Sequence, residues 1–66
     1  MRNSIKVERA KHNMTQADLA KEIGVSRQTI NAMELNKYVP STVLALKIAK
    51  LFKTTVEDVF VLEDTD

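Results

Sequence analysis

The chain has 66 residues, contains no cysteine, and carries ten basic and nine acidic side chains, for a formal net charge of +1. At this length it is expected to form one domain, residues 1–66, with a core only marginally large enough to offset the entropy of folding. The lack of cysteine excludes a disulfide framework and a thiolate metal site, and no apolar run reaches the ~18 residues of a membrane span. A soluble cytoplasmic protein is the simplest expectation.

Charge is distributed unevenly along the sequence. Residues 57–66 carry five acidic and no basic side chains, whereas residues 1–56 carry all ten basic residues and four acidic ones. A basic body with an acidic tail suits a domain that presents one face to a polyanion and turns another away. Composition alone is equally compatible with a solvated surface of uneven charge.

Helical spacing of the apolar residues and sparse turn signals predict an all-α fold, a compact bundle of about five short helices. The first helix is expected to end near Asn13, because asparagine tolerates the left-handed conformation of a helix end. Thr15 followed by Asp18 is a capping pattern that begins a second helix, which extends to about Ile23.

A short turn separates this second helix from a third. Gly24 can adopt the positive φ that ends a helix, and Ser26 is a good N-cap for a helix that extends to about Leu35. Ala20 and Ile30 fall at offsets that suit two helices crossing closely, the first by its small size and the second by filling the angle between them. This pattern predicts a helix-turn-helix.

Pro40 and Ser41 begin a fourth helix, which is expected to supply most of the core. Its predicted apolar face consists of Leu44, Ile48, Leu51 and Phe52. Thr55 and Asp58 repeat the capping pattern for a last short helix. The apolar run after it needs burial, and its residues 61–62 are candidates for a short terminal strand that pairs with residues 1–3.

A resemblance to a known family is carried by the stretch TQADLAKEIGVSRQTINAMELNKYVPS, residues 15–41. It resembles the helix-turn-helix of the Cro and phage-repressor-like family of bacterial, archaeal and phage regulators. The similarity covers roughly positions 4–60, with the helix-turn-helix itself at 16–35. It implies sequence-specific binding of double-stranded DNA, with the third helix in the major groove.

Under this resemblance, Arg27 and Gln28 are the expected readers of base sequence. Arginine has the planar donor pair that matches guanine O6 and N7, and glutamine can both donate to and accept from adenine. Asn31 and Ala32 lie one turn later and are further candidates for base contacts. Without the resemblance, the polar members of this set would be interpreted as ordinary solvated helix residues.

Phosphate contacts are expected from groups that flank the third helix. In similar proteins the residue matching Gln16 binds a phosphate. The full predicted set is Gln16, Ser26, Thr29, Asn36, Lys37, Tyr38 and Ser41. Tyr38 could equally cover the edge of the core. Arg9 and Glu34 match a pair that ties the first helix to the end of the third, and are predicted to form a structural ion pair.

One such domain covers half an operator, so the resemblance implies a homodimer on a pseudo-palindromic site, with recognition helices about 34 Å apart. The dimerisation element is predicted in the last helix and tail, residues 56–62. Its side chains are Val56, Val59, Phe60, Val61 and Leu62. Repression by occupying a promoter is the simplest mechanism, and activation by contact with polymerase stays open.

Two other functional classes compete with this interpretation. An enzyme is disfavoured because His12 is the only histidine and no glycine-rich phosphate loop or metal-ligand spacing occurs, so no catalytic residue, metal or cofactor is predicted. No pocket for a small-molecule ligand is expected in so short a chain. An antitoxin or protein-interaction adaptor with the same fold remains the alternative.

Overall fold

The computed structural model describes all 66 residues and contains five helices and two short strands. In chain order the elements are β1 (Arg2–Asn3), α1 (Ile5–Lys11), α2 (Gln16–Ile23), α3 (Arg27–Glu34), α4 (Thr42–Leu51), α5 (Val56–Val59) and β2 (Phe60–Val61). The predicted helical bundle with a terminal strand pair is confirmed. None of the helices combines the length and hydropathy needed to cross a membrane.

The two strands lie antiparallel, with Arg2 opposite Val61 and Asn3 opposite Phe60. The strand near the end of the chain begins one residue earlier than predicted, because Phe60 leaves α5 in an extended conformation and is buried in the core. Leu62 lies beyond the pairing and is 77% exposed. The strand pair thus fixes which residues of the apolar tail face inward.

Hydroxyl side chains cap the last four helices. Each accepts a hydrogen bond from the backbone N–H three residues later, and the caps are Thr15, Ser26, Ser41 and Thr55. At α2 the capping is reciprocal, because the Asp18 carboxylate accepts from the Thr15 N–H at 2.9 Å. This backbone hydrogen bond and the Thr15 hydroxyl lower the pKa of Asp18. At α5 the Asp58 carboxylate accepts instead from the Thr54 hydroxyl at 3.0 Å.

The first four helices end at a residue in the left-handed conformation. These residues are Asn13, Gly24, Asn36 and Lys53, with φ between 54° and 77°. In each case the next residue donates its N–H to a carbonyl five positions back, as Lys37 does to Ala32 at 2.9 Å. The helix ends expected from Asn13 and Gly24 are therefore confirmed.

Lys53 is the least suited of the four residues to this conformation, because its side chain costs roughly 1 kcal/mol at positive φ. We expect Lys53→Gly to raise the free energy of unfolding by about 0.5 kcal/mol, since relief of this strain outweighs the entropy that glycine adds to the unfolded chain. Urea unfolding measures the change. Lys47→Gly, inside α4, is the matched control and should destabilise by about 1 kcal/mol. Destabilisation of similar size by both variants would contradict the argument.

Eleven buried apolar side chains form one core cluster. The fully buried ones are Ile5, Leu19, Ile30, Met33, Ile48 and Val59. Ala20 and Ile30 both belong to the cluster, as the predicted helix corner requires. On α4 the buried face is centred on Ala45, Ile48 and Ala49, and the predicted Leu44 and Leu51 are only partly buried. The small alanines are therefore more deeply buried than the two leucines, which pack against the edge of the core cluster.

Candidate nucleic-acid interface

The N-terminal end of α3 is exposed on the corner formed with α2. Gly24 ends α2 with a φ of 77°, and two residues later Ser26 caps α3 by accepting from the Thr29 N–H at 3.1 Å. Arg27 and Gln28 therefore occupy the first two positions of α3, and both are exposed. A planar donor group and an amide stand side by side at the positive end of a helix dipole.

The two further base-contact candidates differ in accessibility. Asn31 is exposed one turn beyond Arg27, whereas Ala32 is partly buried. The Asn31 Oδ1 atom accepts a hydrogen bond from the Gln16 Nε2 atom at 3.2 Å. Asn31 is thus already engaged by a residue of the predicted phosphate set.

The serine and threonine hydroxyl groups predicted to bind phosphate all lie at the starts of helices. The Ser26 and Thr29 hydroxyls are 2.9 Å apart and share a hydrogen bond. Ser41 accepts from the Leu44 N–H at 3.2 Å, which leaves its own O–H as a donor. Each capping serine therefore sits beside backbone N–H groups, an arrangement that favours an anion.

The loop between α3 and α4 carries the remaining members of the phosphate set. Asn36 is the left-handed residue that ends α3, and its Oδ1 accepts from the Asn3 Nδ2 at 3.2 Å. Lys37 and Tyr38 are exposed, and Tyr38 is not among the residues of the core cluster. Asn36 thus has a structural role that the sequence pattern did not indicate, while its two neighbours are accessible to a ligand.

Asn3 is a residue that the sequence interpretation missed. Its Nδ2 atom also donates to the Met33 carbonyl at 2.8 Å, and its Oδ1 accepts from the Ile5 N–H at 3.2 Å. The side chain therefore joins β1 to the C-terminal end of α3 and to the start of α1. No sequence signal identifies this role, because it depends on a contact 30 residues away.

The Arg9 and Glu34 side chains contact each other through two hydrogen bonds. Arg9 Nε lies 2.6 Å from Glu34 Oε2, and Arg9 Nη2 lies 3.0 Å from Glu34 Oε1. The third guanidinium nitrogen donates to the Met14 carbonyl at 3.0 Å. The two side chains are only 14% and 8% exposed, and the hydrogen bond to Glu34 raises the pKa of Arg9. The pair joins α1 to the end of α3.

Gln16 extends this contact to α2. Its Nε2 atom donates to Glu34 Oε1 at 3.2 Å as well as to Asn31. Arg9, Glu34, Gln16 and Asn31 thus form a continuous series of hydrogen bonds, referred to below as the polar chain. The polar chain begins at a mostly buried ion pair and ends at an exposed residue of α3.

The residues of the predicted dimerisation element lie in different environments within the single chain. Val59 and Phe60 belong to the core of their own chain, and Val56 is partly buried. Val59 faces the core from α5, and pairing of Phe60 with Asn3 holds the tail against the helices. Only Val61 and Leu62 of the predicted set are exposed. Other large apolar side chains are exposed at the start of α4 and before it: Val39, Val43 and Leu46.

His12, the residue weighed for catalysis, lies at the end of α1. Its Nδ1 atom is 2.9 Å from the Glu8 carbonyl, and its ring centre is 5.2 Å from that of Phe52. The imidazole therefore covers the edge of the core and meets the backbone. No acidic side chain hydrogen-bonds to it in the manner of a catalytic pair.

The chain is similar to known helix-turn-helix proteins over most of its length. A profile of the family described as helix-turn-helix matches residues 5–59. A Methanocaldococcus jannaschii protein named as an uncharacterized HTH-type transcriptional regulator is 58% identical over 66 residues, the full length of both chains. A similarly named protein of Archaeoglobus fulgidus is 50% identical over 66 residues, all of this chain and 93% of its own. Another, of Bacillus subtilis, is 48% identical over 64 residues, 97% of each chain.

Proposed function

Because the chain belongs to the helix-turn-helix family, we propose that it is a sequence-specific DNA-binding transcriptional regulator. Arg27 and Gln28 support this proposal most directly, because both are exposed at the first two positions of α3. Placed in the major groove, the guanidinium suits guanine and the amide suits adenine. Asn31 is a third candidate reader, and the partly buried Ala32 could contact only a thymine methyl.

Phosphate groups on either side of the reading helix would be held by the flanking residues. Ser26 and Ser41 offer hydroxyl and backbone donors, and Lys37 adds a positive charge in the loop after α3. Such contacts set the position of the protein on the duplex without reading its sequence. We propose repression as the mode of action, because occupying a promoter needs no surface beyond this interface. A cytoplasmic location accords with binding to a prokaryotic chromosome.

Selection of bound sites from random duplex DNA tests the proposed function. The wild-type protein should enrich a short motif with two related half-sites, at both low and moderate salt. Affinity for all sequences should fall as salt rises, because phosphate contacts release counterions. Recovery of DNA without any enriched motif would contradict sequence-specific regulation, and would favour a role as an adaptor that binds another protein.

The regulator is proposed to act as a homodimer, since one domain covers only half of an operator. The exposed apolar side chains Val39, Val43 and Leu46 form a ridge along the start of α4. Beside it lies a depression of about 220 Å³, lined largely by Val39, Pro40, Ala45, Leu46, Val56 and Phe60. Because Val39 and Leu46 belong to both, a two-fold axis would pack the ridge and depression of one copy against the same continuous apolar surface of the other.

Charge on the same side of the molecule also suits a second copy. Lys53 and Glu57 line a neighbouring groove that again includes Leu46 and Val56. In a two-fold arrangement the lysine of one copy can meet the glutamate of the other, because each surface contains both signs. Burial of the apolar ridge supplies the main driving force.

Leu46→Glu should convert the proposed dimer to a monomer at micromolar concentration, because it places a charge in the centre of the apolar contact. Sedimentation equilibrium measures the change. Val7→Glu, on the exposed face of α1, is the matched control and should leave the mass unchanged. A wild-type protein that sediments as a monomer, or equal effects of the two variants, would contradict this interface.

A further inference from the structure

The Gln16 amide nitrogen already has two hydrogen-bond acceptors within its own chain. Its amide nitrogen carries two hydrogens, and the structure provides an acceptor for each, Asn31 Oδ1 and Glu34 Oε1, both at 3.2 Å. A phosphate oxygen accepts hydrogen bonds and cannot donate them. If Gln16 is to hold a phosphate with its amide nitrogen, it must therefore release one of these two acceptors.

The bond to Asn31 is the one that yields more easily. It joins two neutral groups and is exposed to solvent. The bond to Glu34 is partly buried, and its acceptor is a carboxylate held by Arg9. Hydrogen bonds to a charged acceptor are roughly twice as strong as bonds between neutral groups. A phosphate that approaches Gln16 should therefore displace Asn31 and leave Glu34 in place.

We propose that the Gln16–Asn31 hydrogen bond is a latch that couples phosphate anchoring to base reading. When a phosphate takes the N–H of Gln16, the Oδ1 of Asn31 loses its partner and the amide can turn to a base edge. Without a phosphate, Asn31 stays bound to α2 and is not presented as a reader. This inference rests on the proposed function and identifies Gln16 as a residue that also acts on specificity.

The rest of the polar chain prepares Gln16 for this exchange. Glu34 keeps one amide hydrogen of Gln16 in place, which directs the other hydrogen outward. A bare carboxylate beside a phosphate site would repel the phosphate, but Arg9 neutralises Glu34 through two hydrogen bonds. Arg9 and Glu34 are positioning residues in this scheme, and neither touches DNA.

If the latch exists, Asn31→Leu should strengthen binding to DNA of unrelated sequence. The leucine has nearly the same shape but offers no acceptor, so Gln16 gains an unoccupied N–H. Binding to duplex DNA of unrelated sequence should become about two- to fivefold tighter, because the competing hydrogen bond is lost. At the selected site this gain should be offset by loss of preference at one base. A simple base-reading role for Asn31 predicts no gain on unrelated DNA.

The experiment is a double-mutant cycle with Asn31→Leu, Gln16→Ala and the combined variant. Dissociation constants are measured by fluorescence anisotropy on a selected duplex and on an unrelated duplex. The gain from Asn31→Leu on unrelated DNA should disappear in the Gln16→Ala background. No gain, or a gain that persists without Gln16, would overturn the latch. Thermal melts of all three variants check that they remain folded.

A spectroscopic measurement separates the latch from the proposed function. In the free protein, Asn31→Leu should shift the side-chain amide resonances of Gln16, whereas Arg27→Ala should not. Addition of unrelated duplex to the wild type should move the Asn31 amide as well as that of Gln16. An Asn31 amide that does not respond to DNA overturns the latch, even if an enriched motif upholds sequence-specific binding. Failure to enrich a motif would reject the proposed function while the cycle on unrelated DNA still tests the latch.

Discussion

Glu34→Ala is expected to lower the free energy of unfolding by about 3 kcal/mol, the largest loss of stability from a single polar side chain in this protein. With Glu34 present the Arg9 side chain is only 14% exposed, and the substitution removes two of its hydrogen bonds. A mostly buried charge that loses its partner cannot recover full hydration, and stranding such a charge costs roughly 3–5 kcal/mol. We take the lower end because both side chains keep some contact with solvent.

Urea unfolding measured without DNA tests this expectation. The matched control is Lys11→Ala, which removes an ion pair with Glu8 whose lysine is 64% exposed and 3.7 Å from the carboxylate. That loss should be below about 0.5 kcal/mol. The double variant Arg9→Met with Glu34→Leu should recover much of the stability, because no charge is then stranded. A loss below about 1 kcal/mol for Glu34→Ala would show that water satisfies Arg9.

Arg27→Ala should remove the preference for one base pair in each half-site, and Gln28→Ala should do so at a neighbouring position. A bidentate contact to a base edge contributes about 1–3 kcal/mol of discrimination, or roughly 5- to 150-fold in relative affinity. Both side chains are exposed at the start of α3, so their removal should leave the fold intact. Competition between the selected site and single-base variants measures the change.

Lys37→Ala provides the contrasting result. Its exposed position in the loop after α3 suits a phosphate, so its loss should weaken all sequences alike and reduce the salt dependence by about one counterion. Uniform weakening by Arg27→Ala as well, with the base preferences unchanged, would show that α3 does not read sequence through this residue. The interface would then be a general DNA-binding surface.

The helix bounds could be predicted because the signals that set them are local. Thr15, Ser26 and Ser41 each cap a backbone N–H three residues away. Gly24 and Asn13 adopt the left-handed conformation that their side chains tolerate. The contact between Arg9 and Glu34 spans 25 residues, and it was expected only from the family resemblance.

Burial of the tail could not be read from its composition. Val59 and Phe60 are as apolar as Val61 and Leu62, and only pairing with β1, more than 50 residues away, determines which pair faces the core. The same limit applies to Gln16. The family resemblance implies that Gln16 binds a phosphate, but whether its amide hydrogens are already bonded depends on where Asn31 and Glu34 lie after folding.

Asn3 links the proposed DNA-binding surface to the proposed dimer surface. Its amide nitrogen donates to the Met33 carbonyl at 2.8 Å, so β1 is held to the C-terminal end of α3. The strand pair adjoins the proposed dimer surface through Phe60, which lines the depression beside α4. In the proposed dimer, the connection between the two-fold axis and each α3 would therefore be rigidly packed, with no flexible linker. Such a dimer would bind only half-sites separated by a fixed length of DNA. The spacing of the half-sites would then contribute to specificity as much as their base sequence.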